Sequence, residues 1–525
     1  EHRGEILIFC LIMAVAAFIR AYHLGTFPPG AYLDEADNGL EALRLGDLDY
    51  YVPFTRASNG HPTLYLYMLH VGFRIFGEGT LAMRLVTGLI GLGTVAGFYF
   101  LAREMFGMRA AQCATLALAV SRWHVNFSRV VFEGVLTPFW IVLCFLFLAR
   151  ALRGGQWRDY IWAGLALGLG LQGYIAYRVF PAIVLLYVVA HLLARRGALR
   201  AWWKGLLALG VAGLIGFGPL AAYFLRYPED FTHRASQASV MQDVERQGSY
   251  EPLRANLRKT ALMFTYQGDP RPRHNLPHAP MLDPWTAMFF MLGLGYALYR
   301  SRDPDYLILW LWLPVGALPG VLSLADSNPH SLRTIVNLPA VFLLVAAFWE
   351  PAIALLRDVF RRWGWRPVRA LGVVALALSG WSNFDVYFHE QAGNRSVYYD
   401  FDPWPNLAAE YVADQAQTRR VLVSPALTNH SAVKFLGYRL PYEDFFLNQH
   451  LPLRDIGPQD VLFVLEPAHA TVVRRLGELY PAGQLQEHRD RYGQLAFYSY
   501  EVEREAMLAI QGLWGSYYAG DELAG

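Results

Sequence analysis

Apolar runs close to the roughly 20 residues that an α-helix needs to cross bilayer hydrocarbon recur along most of this chain. They fall at 6–22, 80–102, 110–126, 134–151, 159–175, 179–194, 204–225, 283–299, 306–323, 334–349 and 367–385. Only 17% of the residues are charged and 54% are hydrophobic, whereas soluble domains carry about 25% charged residues. The expectation is an all-α polytopic membrane protein with about eleven transmembrane helices. Its 15 tryptophans and 30 tyrosines suit many positions at the membrane–water interface. The first run follows Arg3 and has no small-residue cleavage pattern before Arg20, so it reads as a retained anchor, with further chain expected ahead of Glu1. Cys10, Cys113 and Cys144 all lie in apolar runs, where they serve as small hydrophobes and offer no disulfide framework.

Basic residues then set the orientation. Clusters at Arg103 and Arg109, at Arg150, Arg153 and Arg158, at Arg195 to Lys204, at Arg300 and Arg302, and at Arg357 to Arg369 occupy every second connection. Cytoplasmic loops carry such an excess, so the N-terminus is expected in the cytoplasm of a cell-membrane protein. The segment 61–77 is also apolar, but a crossing there would put Arg3 and the basic clusters on opposite faces. It is therefore expected to lie at the outer interface. The outer face then receives a first loop, 23–79, and a long loop, 226–282, both within a membrane domain covering 1–385.

After Phe384 the pattern changes. Val421 to Ser424, Asp460 to Leu465 and Leu495 to Tyr500 read as strands, and Leu407 to Gln415 and Ala470 to Leu479 as helices. Residues 386–511 are thus expected to form a small soluble α/β domain outside the cytoplasm. No glycine-rich phosphate loop accompanies its strands, so neither nucleotide nor nucleic acid is expected as a partner. Residues 512–525 resemble the opening strand of a protective-antigen-type carbohydrate-binding β-domain, cut short.

The outer-face residues carry the chemistry. The first loop holds Asp34, Glu35 and Asp37. They read as helix-starting acids, with Asp34 as N-cap and Asp37 as its capping-box partner. A carboxylate fixed there beside an apolar surface is also placed to act as a general base. His61 and His124 each read as hydrogen-bonded interface residues or as ligands; Arg129 and Glu133, four apart, would share a helical face and pair. Tyr174 and Arg178 suit an aromatic belt with a snorkelling arginine. Yet Arg84, Arg129, Arg178 and Arg333 all sit at outer span ends, against the positive-inside bias. Guanidinium groups converging there suit a lipid phosphate or pyrophosphate, gripped bidentately. In the long loop, Asp269, His274 and His278 could bind a divalent metal or a sugar, or could simply be loop polarity; His330 precedes Arg333 in a further outer connection.

In motif order the chain resembles the GT-C superfamily of polyprenyl-phosphate-sugar-dependent glycosyltransferases, in particular the protein O-mannosyltransferase-like family 39 and its lipid A aminoarabinose-transferase relatives. The resemblance covers about residues 5–385. It is carried by Asp34-Glu35, His61-Pro62, Ser128-Arg129 to Pro138, Tyr177 to Pro181 and His330 to Arg333. It implies a GT-C-like fold and inverting transfer of a sugar from a polyprenyl-phosphate donor to an acceptor hydroxyl on a protein, lipid or glycan outside the membrane. Asp34 would then be the catalytic base and Glu35 its orienting partner. His61, Arg84, Arg129, Glu133, Tyr174, Arg178, His278, His330 and Arg333 would bind substrate, with a divalent metal possible and no ligand set assigned. The relatives read Leu-Asp-Pro where this chain has Leu136-Thr137-Pro138, so the second acid is absent there and Glu133 is the candidate replacement. A transporter of lipid-linked sugars and a membrane-anchored carbohydrate-binding protein are the competing expectations. The first would place ionisable groups near the bilayer midplane; here they gather at the outer ends.

Overall fold

A helix stands at each of the eleven expected places. The computed structural model describes residues 2–154, 156–231, 239–359, 366–446, 451–453 and 455–510; residues 512–525, expected to begin a β-domain, lie outside them. The chain divides into two compact units. One comprises Glu1–Pro28 and Glu41–Asp400, the other Pro29–Leu40 and Phe401–Gly525.

In the first unit the helices are His2–Ala21, Thr80–Phe106, Met108–Val120, Leu136–Gly154, Trp157–Gly170, Phe180–Ala194, Ala198–Arg226, Pro284–Tyr299, Pro304–Val321, Leu338–Val359 and Arg366–Asp385. Among the described residues, six stretches are long and apolar enough to cross a membrane: Arg3–Ala21, Thr80–Phe106, Glu133–Gly154, Ile175–Ala194, Ala198–Arg226 and Ile335–Ile353. The chain is thus a helical, multi-pass membrane protein, and among the described residues six of the eleven expected spans meet the length criterion. Met108–Val120 and Trp157–Gly170 are shorter, at 13 and 14 residues, or about 20 Å at 1.5 Å per residue. Ser121 takes up an extended conformation after the first of them and starts a separate short helix, Arg122–Phe127, where the sequence suggested a continuous span.

Packing follows from composition. Leu338 and every residue from Ala340 to Ala347 are fully buried, as befits a helix apolar all round. Trp157–Gly170 and Ala198–Arg226 meet through glycines. A Cβ on Gly168 would lie 2.1 Å from the Gly213 carbonyl oxygen, and one on Gly164 would lie 2.2 Å from that of Leu209. Small residues let helix backbones approach this closely where lipid offers no hydrophobic drive to association.

The segment expected at the interface folds as β1 (Phe54–Thr55) paired antiparallel with β2 (His61–Pro62), followed by the helix Leu64–Phe76. That helix has 13 residues, too short for about 30 Å of hydrocarbon. It buries Tyr65, Leu66, Leu69, Gly72 and Phe73 and leaves Val71, Ile75 and Phe76 exposed.

In the second unit, β3 (Arg420–Val423), β4 (Tyr442–Asp444), β5 (Val461–Leu465), β6 (Gln484–Arg489) and β7 (Leu495–Val502) form one sheet in the order β4-β3-β5-β7-β6. β4, β3 and β5 run parallel, and β7 and β6 are antiparallel additions. Alternation along the strands divides the core in two. Leu422, Val461, Phe463 and Leu465 pack with Val472, Val473 and Leu476 of the Ala470–Leu479 helix. Val421, Val423, Leu462 and Val464 pack with Ala408, Ala409 and Val412 of the Pro403–Gln415 helix.

Candidate functional site

In the first unit the end of the first helix is clamped by arginines. Arg129, fully buried, donates from Nη1 to the carbonyls of Ile19 and Arg20 at 2.9 and 2.7 Å, and from Nη2 to that of Phe27 at 2.7 Å. Its guanidinium lies 5.0 Å from the Phe388 ring. Arg84 donates to the carbonyl of Pro28 at 2.8 Å. Helix C-termini leave carbonyls without intrahelical donors; Arg129 supplies donors to those of Ile19 and Arg20, and its bond to Phe27 and that of Arg84 to Pro28 fix the loop that follows. The expected Arg129–Glu133 pair does not form. The Arg122–Phe127 helix ends before Arg129, so the two residues share no helical face. Glu133 instead lies 3.0 Å from the Nδ1 of buried His61. Arg178 donates from Nη1 to the Phe231 carbonyl at 2.6 Å and stacks 4.3 Å from that ring.

A second cluster joins two loops distant in sequence. Asp269 is fully buried; its Oδ2 accepts from the Ser331 amide and hydroxyl, both at 2.7 Å, and lies 3.0 Å from the Nδ1 of His274. Its Oδ1 accepts from the Arg271 amide at 2.9 Å. The His274 ring lies 5.0 Å from that of His330, and Phe127 and Phe132 close over its other sides at 5.4 and 5.8 Å. The loop is held in place by buried Arg122, which donates to Asn275 Oδ1 at 3.1 Å and to the Pro280 carbonyl at 2.6 Å. Asp269, His274 and His330 offer ligand atoms within 4.8 Å of one another and form a candidate divalent-metal triad. His278, which the sequence grouped with them, is exposed and sits 3.3 Å from Gln267.

Charge around the triad is predominantly positive. Arg271 is pushed down by burial, held up by Asp269 and lowered again by Arg273 and Arg333; it also feels buried Tyr174. Arg273 is committed to a two-oxygen pair with Asp400 at 3.0 and 3.2 Å. Arg333 is half-buried, and among the described residues its guanidinium has no hydrogen-bonded partner.

Burial lowers His330 well below the ordinary imidazole value, and His274 and Arg271 add to this. Burial also lowers His274, against the opposing pull of Asp269. Burial by itself would raise Asp269, but His274, His330 and Arg271 outweigh it and hold the carboxyl below its usual range. Two neutral imidazoles beside a carboxylate suit a first-row divalent cation, since no proton competes for the lone pairs. The sign of the pH dependence follows. Unfolding lets both histidines take up protons near pH 6.5 that the folded chain refuses, so their stability is present above about that pH and is lost as pH falls toward the folded values. Asp269 acts in the same direction lower down, its contribution present above about pH 4. The thermal midpoint of the detergent-solubilised protein should therefore drop between about pH 7.5 and about pH 5, and a flat profile there would contradict neutral, buried imidazoles.

The acidic pair belongs to the second unit. Leu33–Gly46 is a helix with Asp34 and Glu35 in its first turn. Glu35 is fully buried and its Oε2 accepts from the Tyr32 amide at 2.9 Å. It therefore performs the reach-back of a capping box, the task that the sequence assigned to Asp37. Asp34 is exposed. The sequence offers Asp269 and His274 for a metal together with His278, whereas the fold brings His330 to them and sets Arg271 alongside. His330 lies 61 positions beyond Asp269, and no local spacing could have joined them.

Residues 60–223 match the family model described as dolichyl-phosphate-mannose-protein mannosyltransferase. The candidate mannosyltransferase YycA of Bacillus subtilis (strain 168) is 26% identical over 184 residues, which is 34% of this chain and 27% of that protein. YkcB of the same organism is 30% identical over 118 residues, 22% of this chain and 16% of that protein. This chain thus matches well under two thirds of either relative's length. In fold, ArnT from Cupriavidus metallidurans bound to undecaprenyl phosphate superposes with a TM-score of 0.57 at 16% identity, covering 95% of this chain and 98% of that one. An Archaeoglobus fulgidus oligosaccharyltransferase superposes with a TM-score of 0.50 at 11% identity, covering 94% and 74%. Over nearly its full length the chain thus shares the fold of ArnT, and within 60–223 its sequence resembles the dolichyl-phosphate-mannose-protein mannosyltransferase family.

Proposed function

We propose that this protein transfers a sugar from a polyprenyl-phosphate donor to an acceptor hydroxyl on the extracytoplasmic side of the membrane, with inversion at the anomeric carbon. Asp34 is the base in this reading. The acceptor oxygen attacks the anomeric carbon, the bond from that carbon to the phosphate oxygen breaks, the acceptor proton passes to the Asp34 carboxylate, and the lipid phosphate departs. The family-model match, with its dolichyl-phosphate-mannose description, and the fold likeness to a protein bound to undecaprenyl phosphate support the donor class. An N-terminus in the cytoplasm and eleven crossings belong to the same proposal.

The observation that carries it is Arg333, a half-buried guanidinium without a protein acceptor among the described residues, in a cluster with Arg271. A fixed cation of this kind suits a phosphate whose charge grows as its bond to the sugar breaks, since oriented charges need no reorganisation at that moment. Arg129 and Arg84 have a different part in this reading. Their hydrogen bonds to carbonyls at the end of the first span and in the loop after it hold the chain that leads on toward the acidic helix. A cation held by Asp269, His274 and His330 would add positive charge beside Arg271 and Arg333.

Arg333→Ala should weaken binding of undecaprenyl phosphate about 10- to 100-fold, the scale of a charge-assisted hydrogen bond pair. Isothermal titration in nanodiscs measures it. An unchanged Kd would remove Arg333 from the donor site.

A further inference from the structure

The segment Pro29–Leu40 follows the first span in sequence, yet it packs into the same compact unit as the C-terminal domain. Its contacts are specific. Asn406 Oδ1 accepts from the Ala31 amide at 3.0 Å while its Nδ2 donates to the Ala31 carbonyl at 2.9 Å. One side-chain amide thus satisfies both backbone groups of one residue, as a paired strand would. The same Nδ2 reaches the Asp402 carbonyl at 2.8 Å. Asp402 Oδ2 in turn accepts from the Leu33 amide at 3.1 Å, an early helical N–H that has no carbonyl four residues back to bond within the helix. Gly30 completes the contact. A Cβ there would lie 2.8 Å from the Phe401 carbonyl oxygen and 3.0 Å from the Asn406 side chain.

Asp402 sits in the left-handed region, at φ 47° and ψ 56°, immediately before the Pro403–Gln415 helix. That backbone is unfavourable for a residue with a side chain and persists where the surroundings fix it. His430 Nε2, 4.0 Å from Asp402 Oδ2, flanks the carboxylate on a neighbouring helix start. Residues 31 and 33 are therefore each tied to the C-terminal domain, and Asp34 is the next residue along.

We propose that Asn406 and Asp402 are positioning residues, through which the C-terminal α/β domain fixes the first turn of the acidic helix and hence the location of Asp34. This rests on Asp34 being the base. The carboxylate must meet an acceptor hydroxyl at hydrogen-bond distance, and a misplacement of about 1 Å costs on the order of 100-fold in rate. A loop tied at neither end of its first turn would not hold that tolerance; two side chains on a packed domain do. The domain is then part of the catalytic geometry through these two contacts.

The test uses the full chain in nanodiscs, with Asn406→Ala and, leaving the C-terminal domain's own sequence intact, Gly30→Ala. Backbone amides 31–37 should exchange with deuterium faster in both variants. Turnover of polyprenyl-phosphate mannose, with cell-envelope extract as acceptor source, should lose about 10- to 100-fold in kcat with donor KM within about two-fold. A general loss of folding would move KM and the exchange of the whole domain as well. Unaltered exchange at 31–37 would overturn the proposal, and so would unaltered kcat in a protein that Asp34→Asn inactivates. Should Asp34→Asn itself stay active, the base assignment fails on its own, and exchange at 31–37 alone then supports or refutes the tether.

Discussion

Asp34→Asn should reduce sugar transfer in reconstituted vesicles by about 10²- to 10⁴-fold, the contribution of a positioned general base, while leaving the thermal midpoint unchanged. The carboxamide matches the carboxylate in shape and cannot take up the acceptor proton. Asp34 is exposed, and an isosteric change at the surface costs little stability. Glu35 makes the contrast. It is buried and its Oε2 caps the Tyr32 amide, so Glu35→Ala should act on stability by about 1 kcal/mol, the scale of a lost helix cap. An Asp34→Asn protein with wild-type turnover would end the assignment of the base.

Asp269→Ala should be the most destabilising single change in the loops that carry residues 269 and 331, by about 3–5 kcal/mol, as for a buried charge network broken on one side. The carboxylate accepts from the Ser331 amide, the Ser331 hydroxyl and the Arg271 amide and pairs with His274. Truncation takes the carboxylate away from all of these donors, and those of buried Ser331 and His274 carry their own desolvation penalty. Asp269→Asn keeps the shape and one acceptor oxygen, so it should fall between wild type and alanine. Chemical denaturation in mixed micelles reads the difference. A loss under about 1 kcal/mol would mean that the loops around residues 269 and 331 are held by something else.

The membrane architecture was legible because hydrocarbon imposes a length and a composition that show in the sequence whatever the packing. All eleven apolar runs became helices, and the 61–77 segment became a short helix with one buried face. β3, β5 and β7 were also legible, since buried strands carry apolar residues on both faces or in alternation. The edge strand β6, Gln484–Arg489, went unread because it is polar and mostly exposed. Helix length was harder. The break at Ser121 leaves Arg122 to anchor a loop from position 275 to 280, a demand that no local pattern announces.

The sequence by itself determined that the chain is a multi-pass helical protein with a small α/β domain, and that its acids and unusual arginines gather in connections between the apolar runs. These properties are local or additive: hydropathy, charge bias and short periodicities. Only the tertiary structure decided what each charged group faces. It turned Arg129 onto three carbonyls, paired His61 with Glu133, left Arg333 beside Arg271, and tied the acidic segment to Asn406, 375 positions away from Ala31. The physical reason is that a buried charge takes its role from its neighbours within a few ångströms, and chain folding, rather than chain order, chooses those neighbours.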